Sequence, residues 1–233
     1  MKYMGSKNRI AKHILPIMLK EMQDKGYTTW VEPFVGGGNM IDKVPSEYKR
    51  IGADLNEHTI AAMLGIRDFV DQLPSKVSEQ YYKDVKKSPA HPVTSWLRYE
   101  CSFGAKFENG FARNSQGTNY ALCGKNLAIK QSPKIQGVEF ICCSYKDLSN
   151  VTNSLIYCDP PYQGTTGYKT GHFNHEEFFE WCRKMKTKGN SVFVSEYNAP
   201  DDFELVWQGE IKTNFSSQRK EATHKAIEKL FKV

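Results

Sequence analysis

No CxxC pair occurs in the 233 residues, although cysteine stands at 101, 123, 142, 143, 158 and 182. That argues against a zinc site or a disulfide framework and reads as the reduced thiols of a cytosolic protein. No apolar run approaches 18 residues, so no membrane span is expected. The opening "MKYMGSKNRI" lacks the apolar core of a signal peptide. There is no GxGxxG, and the one glycine cluster lacks the Lys-Ser/Thr of a phosphate loop, which disfavours pyrophosphate binding. Neither long low-complexity tracts nor repeats are visible.

What is present fits one large α/β domain, or one domain carrying an insert. Hydrophobic residues make up 39% and charged residues 25%, ordinary for a globular protein. The net charge of +6 is unevenly placed: residues 61–134 hold 11 Lys and Arg against 6 Asp and Glu. A basic middle segment suggests a polyanion docking there, and a solvated basic surface accounts for it equally well.

Periodicity predicts a helix over 7–23, with Pro16 a threat to its continuity. Strands are expected at 28–34 and 48–56, then a helix over 56–70 with Asn56 as its N-cap. Residues 71–134 mix helical patches with polar loops. Strands return at 137–143, 154–159 and 191–197, with a helix over 174–189 between the last two. Asn174 and Glu177 suit a capping box there, and Gly189 a stop. Residues 203–211 and 228–233 suit a final pair of strands. The outer parts read as β-α-β-α, hence a parallel α/β sheet that binds ligands at the carboxyl ends of its strands.

Three strand ends carry chemistry. "EPFVGGGN" (32–39) lets the backbone turn sharply and approach a ligand. Asp54 closes the second strand, where a carboxylate can accept hydrogen bonds from ribose hydroxyls. In "DPPY" (159–162) a strand stops at Asp159, and Pro160 and Pro161 stiffen the exit. Tyr162 adds a flat ring. The Asp159 carboxylate and the Pro160 carbonyl beside that ring suit a planar base bearing an exocyclic NH₂.

Taken together, these stretches resemble the Dam-type (D12 class, α-group) DNA adenine-N6 methyltransferases. "KYMGSK" (2–7), "EPFVGGGN" and Asp54 are similar to that family's cofactor elements, "ICCSYKDL" (141–148) loosely to the stretch beside the cofactor adenine, and "FVSEYNAP" (193–200) to its next strand. DPPY matches its catalytic motif. Glycines precede DPPY with the basic segment between, as in the α group. The resemblance implies a Rossmann-like methyltransferase sheet, residues 1–60 and 135–233, interrupted by a mostly helical target-recognition domain, 61–134. It implies S-adenosyl-L-methionine held by Tyr3, Lys7, Glu32, Pro33, Phe34, Gly36, Gly37, Gly38, Asn39, Asp54, Tyr145 and Asp159. Catalysis falls to Asp159, Pro160, Pro161 and Tyr162, acting on an adenine flipped out of double-stranded DNA. Arg98, Lys106, Arg113, Asn114 and Asn119 are the expected DNA contacts, with "SSQRKEATHK" (216–225) a second basic loop. No metal is required, GATC is the family-level guess for the site, and a standalone cytoplasmic enzyme of a bacterium or phage-infected cell is expected.

Other readings bear comparison. A relative acting on RNA or cytosine would differ in the base methylated. A catalytically silent DNA binder is disfavoured by the intact DPPY, and a dinucleotide oxidoreductase by the missing GxGxxG. The HxxHE spacing of "HFNHEEF" (172–178) hints at metal but reads better as a helix cap. Cys142, Cys143 and Cys158 read as small core residues, and Tyr81 and Tyr82 as core of the insert.

Overall fold

A computed structural model describes residues 1–107, 109–162, 173–212 and 225–233. Seven strands form one sheet: β1 (Thr29–Glu32), β2 (Lys49–Asp54), β3 (Val138–Cys142), β4 (Leu155–Cys158), β5 (Ser191–Ser195), β6 (Glu204–Lys212) and β7 (Lys225–Lys232). Their order is β3-β2-β1-β4-β5-β7-β6. The first five run parallel, while β7 lies antiparallel to both β5 and β6. The expected parallel sheet therefore ends in an antiparallel hairpin. The chain moves outward from β1 through β2 to β3, then returns to β4 beside β1. The β1/β4 seam is thus a topological switch point, where a crevice opens at the carboxyl ends of the strands.

Alternation along the strands divides the core between the two faces of the sheet. Trp30, Leu155, Tyr157, Phe193 and Leu230 point into one apolar cluster. Their neighbours Val31, Ile156, Cys158, Val194 and Phe231 point into the other. The first face is covered by α1 (Ala11–Lys25), α2 (Glu57–Asp68), α4 (Pro92–Glu100) and α5 (Tyr120–Gln131), with the short α3 (Glu79–Val85) beside them. The second face takes α6 (His175–Thr187).

Local signals account for these helices. α1 runs unbroken through Pro16, because Ile14, Leu15, Met18 and Met22 bury one continuous stripe. The proline costs one backbone hydrogen bond and the stripe outweighs it. α1 stops at Gly26, in the left-handed conformation at φ +68°. Asn56 caps α2 by accepting from the His58 amide. Asn174 caps α6 by accepting from the Glu177 amide, but the box is not reciprocal. The Glu177 carboxylate instead pairs with Lys146 at 2.6 Å.

Residues 71–134 contribute Tyr82, Val85, Trp96, Leu97, Tyr99, Ala121 and Ala128 to the same apolar cluster as Trp30 and Tyr157. The expected boundary at residue 60 falls inside α2. Tyr82 is buried as expected, but Tyr81 is exposed. Cys158 is buried, whereas Cys142 is exposed because β3 is an edge strand.

Two helices approach closely at one glycine. A Cβ on Gly65 of α2 would lie 2.5 Å from the carbonyl oxygen of Pro92, at the start of α4. That contact is with backbone and cannot swing aside. We predict that Gly65→Ala destabilises the fold, the helix-propensity gain of about 1 kcal/mol being outweighed by an overpacking cost of about 2–3 kcal/mol. Thermal unfolding should show Tm lowered by roughly 2–8 °C.

Candidate active site

The three sequence signals converge at the carboxyl ends of β1, β2 and β4. β1 ends at Glu32 and runs into the glycine turn. The turn is pinned to β2 by the Val35 amide, which donates to the Ala53 carbonyl at 2.8 Å. Gly36 and Gly38 lie at φ +48° and +64°, which favours glycine. Close approach is the second constraint. A Cβ on Gly36 would stand 2.8 Å from the Tyr3 ring, and one on Gly37 2.7 Å from the Tyr3 Cβ. The N-terminal segment therefore lies directly against the turn.

Asp54 receives two backbone donors, Gly36 N–H at 3.2 Å and Asn56 N–H at 2.9 Å. Burial pushes its carboxyl up to about 6, and the two amides oppose the shift. One carboxylate thus fixes both the glycine turn and the start of α2. Gln131, at the end of α5, supports the turn from behind. Its amide donates to the carbonyls of Gly37 at 3.0 Å and Gly38 at 3.2 Å. Asn39 donates to the Met1 carbonyl at 3.1 Å. Glu32 is buried and accepts the Trp30 indole N–H at 2.9 Å; burial holds its carboxyl well above the usual range. Phe34 packs edge-on against Phe173 and Phe178.

Asp159 leaves β4 beside this turn. Lys7, from the N-terminal segment, places its Nζ 3.2 Å from Asp159 Oδ1 and 3.5 Å from Glu228 Oε2. The same ammonium stands 4.3 Å from the centre of the Tyr162 ring. The Tyr162 hydroxyl donates to Glu228 Oε2 at 2.7 Å. Burial lowers the Lys7 pKa, but the two carboxylates more than offset it and hold the group charged. Burial raises Asp159 to about 6, Lys7 opposes the shift, and Glu228 adds to it. Tyr162 is held well above its usual value by burial and then by Asp159 and Glu228, so it stays a neutral donor. Below these groups the Tyr157 hydroxyl meets Ser195 Oγ at 2.8 Å.

The far side of the motif is tied by α6. His175 Nε2 lies 2.9 Å from the Pro161 carbonyl and 3.7 Å from the buried Glu196. His175 therefore braces DPPY, where the sequence suggested only a helix cap. Among the described residues no group of three His, Cys, Asp or Glu is arranged to hold a metal. His172, the other histidine of the HxxHE spacing, lies outside the described residues, as does most of the loop 216–225.

Two of the expected contacts are buried. Arg98 is only 2% exposed, donating to the Ser88 carbonyl at 2.9 Å and stacked on Phe107, so it does not face a polyanion. Tyr145 is enclosed by Phe34, Phe173, Phe178 and Trp181, which makes it a core ring. Lys106 and Arg113 are exposed, and Arg113 pairs with Glu79. Asn114 closes its own loop through both Thr118 groups. Asn119 caps α5 and donates to the Ser75 carbonyl at 2.9 Å. Gln131, Glu228 and the His175–Glu196 pair carry no sequence signal of their own. Gln131 and Glu228 belong to no motif, Glu196 and His175 lie in stretches quoted for other reasons, and each is brought in by packing.

A glycine turn, a partly buried acid closing the next strand and DPPY thus come together at the switch point. The chain matches the sequence model of the D12 class N6 adenine-specific DNA methyltransferases over residues 3–91 and 105–226, and it belongs to that family. The type II methyltransferase M.FokI of Planomicrobium okeanokoites is 24% identical over 218 residues, 80% of this chain and 32% of that protein. The chain thus spans about a third of the length of that relative. The type II methyltransferase M.MjaIII of Methanocaldococcus jannaschii is 22% identical, over 90% of this chain and 87% of that protein. The rRNA methyltransferase aviRa from Streptomyces viridochromogenes aligns with a TM-score of 0.49 at 11% identity, covering 97% of this chain and 84% of that one.

Removing the Asp54 carboxylate should weaken cofactor binding more than any other single change in the turn. Loss of a charged, multiply bonded acceptor predicts a Kd raised on the order of tenfold to hundredfold for Asp54→Ala. Calorimetric titration with S-adenosyl-L-homocysteine reads this directly, and an unchanged affinity would remove Asp54 from the cofactor site.

Proposed function

We propose that the protein methylates the N6 amine of an adenine flipped out of duplex DNA, using the Asp159–Tyr162 segment as its catalytic motif. The carrying observation is the place of Asp159. It stands at the end of β4, on the switch-point seam, next to the turn anchored by Asp54. The residues fit the cofactor, because Asp54 is a partly buried carboxylate acceptor beside the turn, held in place by two backbone amides. Tyr3, Lys7, Glu32, Pro33, Phe34, Gly36 to Asn39 and Asp54 would form its binding surface, and the bound cofactor supplies an electrophilic methyl group.

The chain's own groups then handle the amine. Its lone pair is delocalised into the base, which makes it a poor nucleophile. Hydrogen bonds from the NH₂ to the Asp159 carboxylate and the Pro160 carbonyl favour a tetrahedral nitrogen and stabilise the charge developing there. Tyr162 offers the stacking face for the extruded base. Asp159 or a water takes the departing proton. The rigid prolines, with His175 behind Pro161, keep this pocket formed before the base arrives. Residues 71–134 act in target recognition, with Lys106 and Arg113 meeting phosphates on the exposed rim and the loop around Asn114 and Asn119 beside them. A DNA substrate fits an enzyme of the cytosol of a bacterium or an infected host cell, and GATC is the first site to test.

Two outcomes follow. Tritiated methyl transfer to unmethylated duplex DNA, with nucleoside analysis, should yield N6-methyladenine, and Asp159→Ala should lower that rate at least on the order of a thousandfold while cofactor binding survives. Normal turnover by that variant would refute the mechanism. The acid limb gives an independent check. Asp159 is ionised above about 6, so activity should be flat toward neutral pH and fall below that value. At saturating cofactor, where the second carboxylate at about 6, Asp54, does not limit the rate, a single proton predicts a decline of about tenfold per pH unit, read from initial rates between about pH 4.5 and 8.

A further inference from the structure

Glu228 belongs to β7, the antiparallel strand paired with the last parallel one, and to no motif of the methyl-transfer site. Its neighbour two places along, Leu230, lies in the apolar cluster with Trp30 and Tyr157. Alternation therefore points Glu228 to the core face of the sheet, where an apolar side chain is the cheaper choice. Its side chain is only 12% exposed. Among the described residues its polar contacts go to the candidate site: the Tyr162 hydroxyl at 2.7 Å and the Lys7 ammonium at 3.5 Å. Tyr162 itself is held from three directions, by Glu228 at its hydroxyl, by Lys7 against the ring, and by Tyr197 edge-on at a centroid distance of 4.6 Å.

We propose that Glu228 is a positioning residue for methyl transfer. It anchors the hydroxyl end of the Tyr162 ring and shares the Lys7 ammonium with Asp159. A stacking ring works only in one place and plane: the hydrogen bond to Glu228 anchors the far end of the ring, while Lys7 and Tyr197 against the ring limit its rotation. A charged acceptor on a sheet strand supplies that anchor at small entropic cost. Sharing the ammonium also sets how much of the Asp159 charge remains for the amine. This inference rests on the adenine-transfer reading.

The test is a cycle of Glu228→Ala, Tyr162→Phe and the double variant, with Glu228→Gln as the conservative control. Tritiated methyl transfer gives kcat and the KM for DNA; calorimetry gives the cofactor Kd; thermal unfolding is recorded for every variant. Glu228→Ala and Tyr162→Phe should each lower kcat on the order of tenfold to hundredfold, with KM and Kd unchanged within about threefold. Glu228→Gln should fall between wild type and Glu228→Ala, because its amide oxygen still accepts the phenolic proton. The double variant should be no slower than the slower single one. Wild-type kcat in Glu228→Ala, a change confined to KM, or losses that multiply in the double variant would each overturn the proposal. Absence of transfer to DNA by the wild type would count against the adenine reading instead. Unfolding then decides the clamp: coupled effects on Tm sustain the Tyr162–Glu228 link, and additive effects refute it.

Discussion

The Lys7 ammonium, almost withdrawn from water between two carboxylates, is the contact on which the site depends. A charge so buried is tolerable only when paired, and here the partners come from distant parts of the chain. Asp159 leaves β4, Glu228 comes from β7, and Lys7 sits on the segment preceding α1. One cation thus ties the N-terminal segment to a parallel strand and to the antiparallel pair of the sheet. It also keeps Asp159 from being held as a neutral acid, as burial alone would favour. With Lys7 as a counter-charge, the carboxylate is anionic at neutral pH and able to accept from an amine.

A second dependence runs through the backbone of the glycine turn. Its conformation is set by φ values open to glycine and by the side chains packed against it, so its shape is as firm as its supports. Those supports are Asp54 at the front and Gln131 behind. Gln131 closes α5, within the basic middle segment. The helices that separate the two sequence halves therefore brace the glycine turn and share a core with the sheet. A mutation in that segment can reach the chemistry through packing, without touching DNA.

Much of the site is legible in the order of the residues. DPPY, the glycine run and Asp54 are short local patterns, and their meaning lies in residue type and spacing. The β-α alternation and the caps at Asn56 and Asn174 are legible for the same reason. One expected DNA contact and one expected cofactor contact fare differently. Arg98 reads as a surface cation by composition, yet the helical face it occupies turns inward onto Phe107. Tyr145 follows a loose match, and its ring is walled in by four aromatic side chains. In both, burial is the deciding quantity, and burial depends on what packs opposite.

By itself the sequence determined the outer strands and helices, the DPPY tetrapeptide and the family, because each is written in contiguous residues. Only the tertiary structure decided which strands are neighbours. The order β3-β2-β1-β4-β5-β7-β6 makes β1 and β4 adjacent although β2, β3 and the basic middle segment lie between them in the chain. It also carries Glu228 to Tyr162, residues 66 apart in sequence, and Gln131 to Gly37, 94 apart. Such contacts follow from the summed burial of both sheet faces, a non-local quantity that no short pattern encodes.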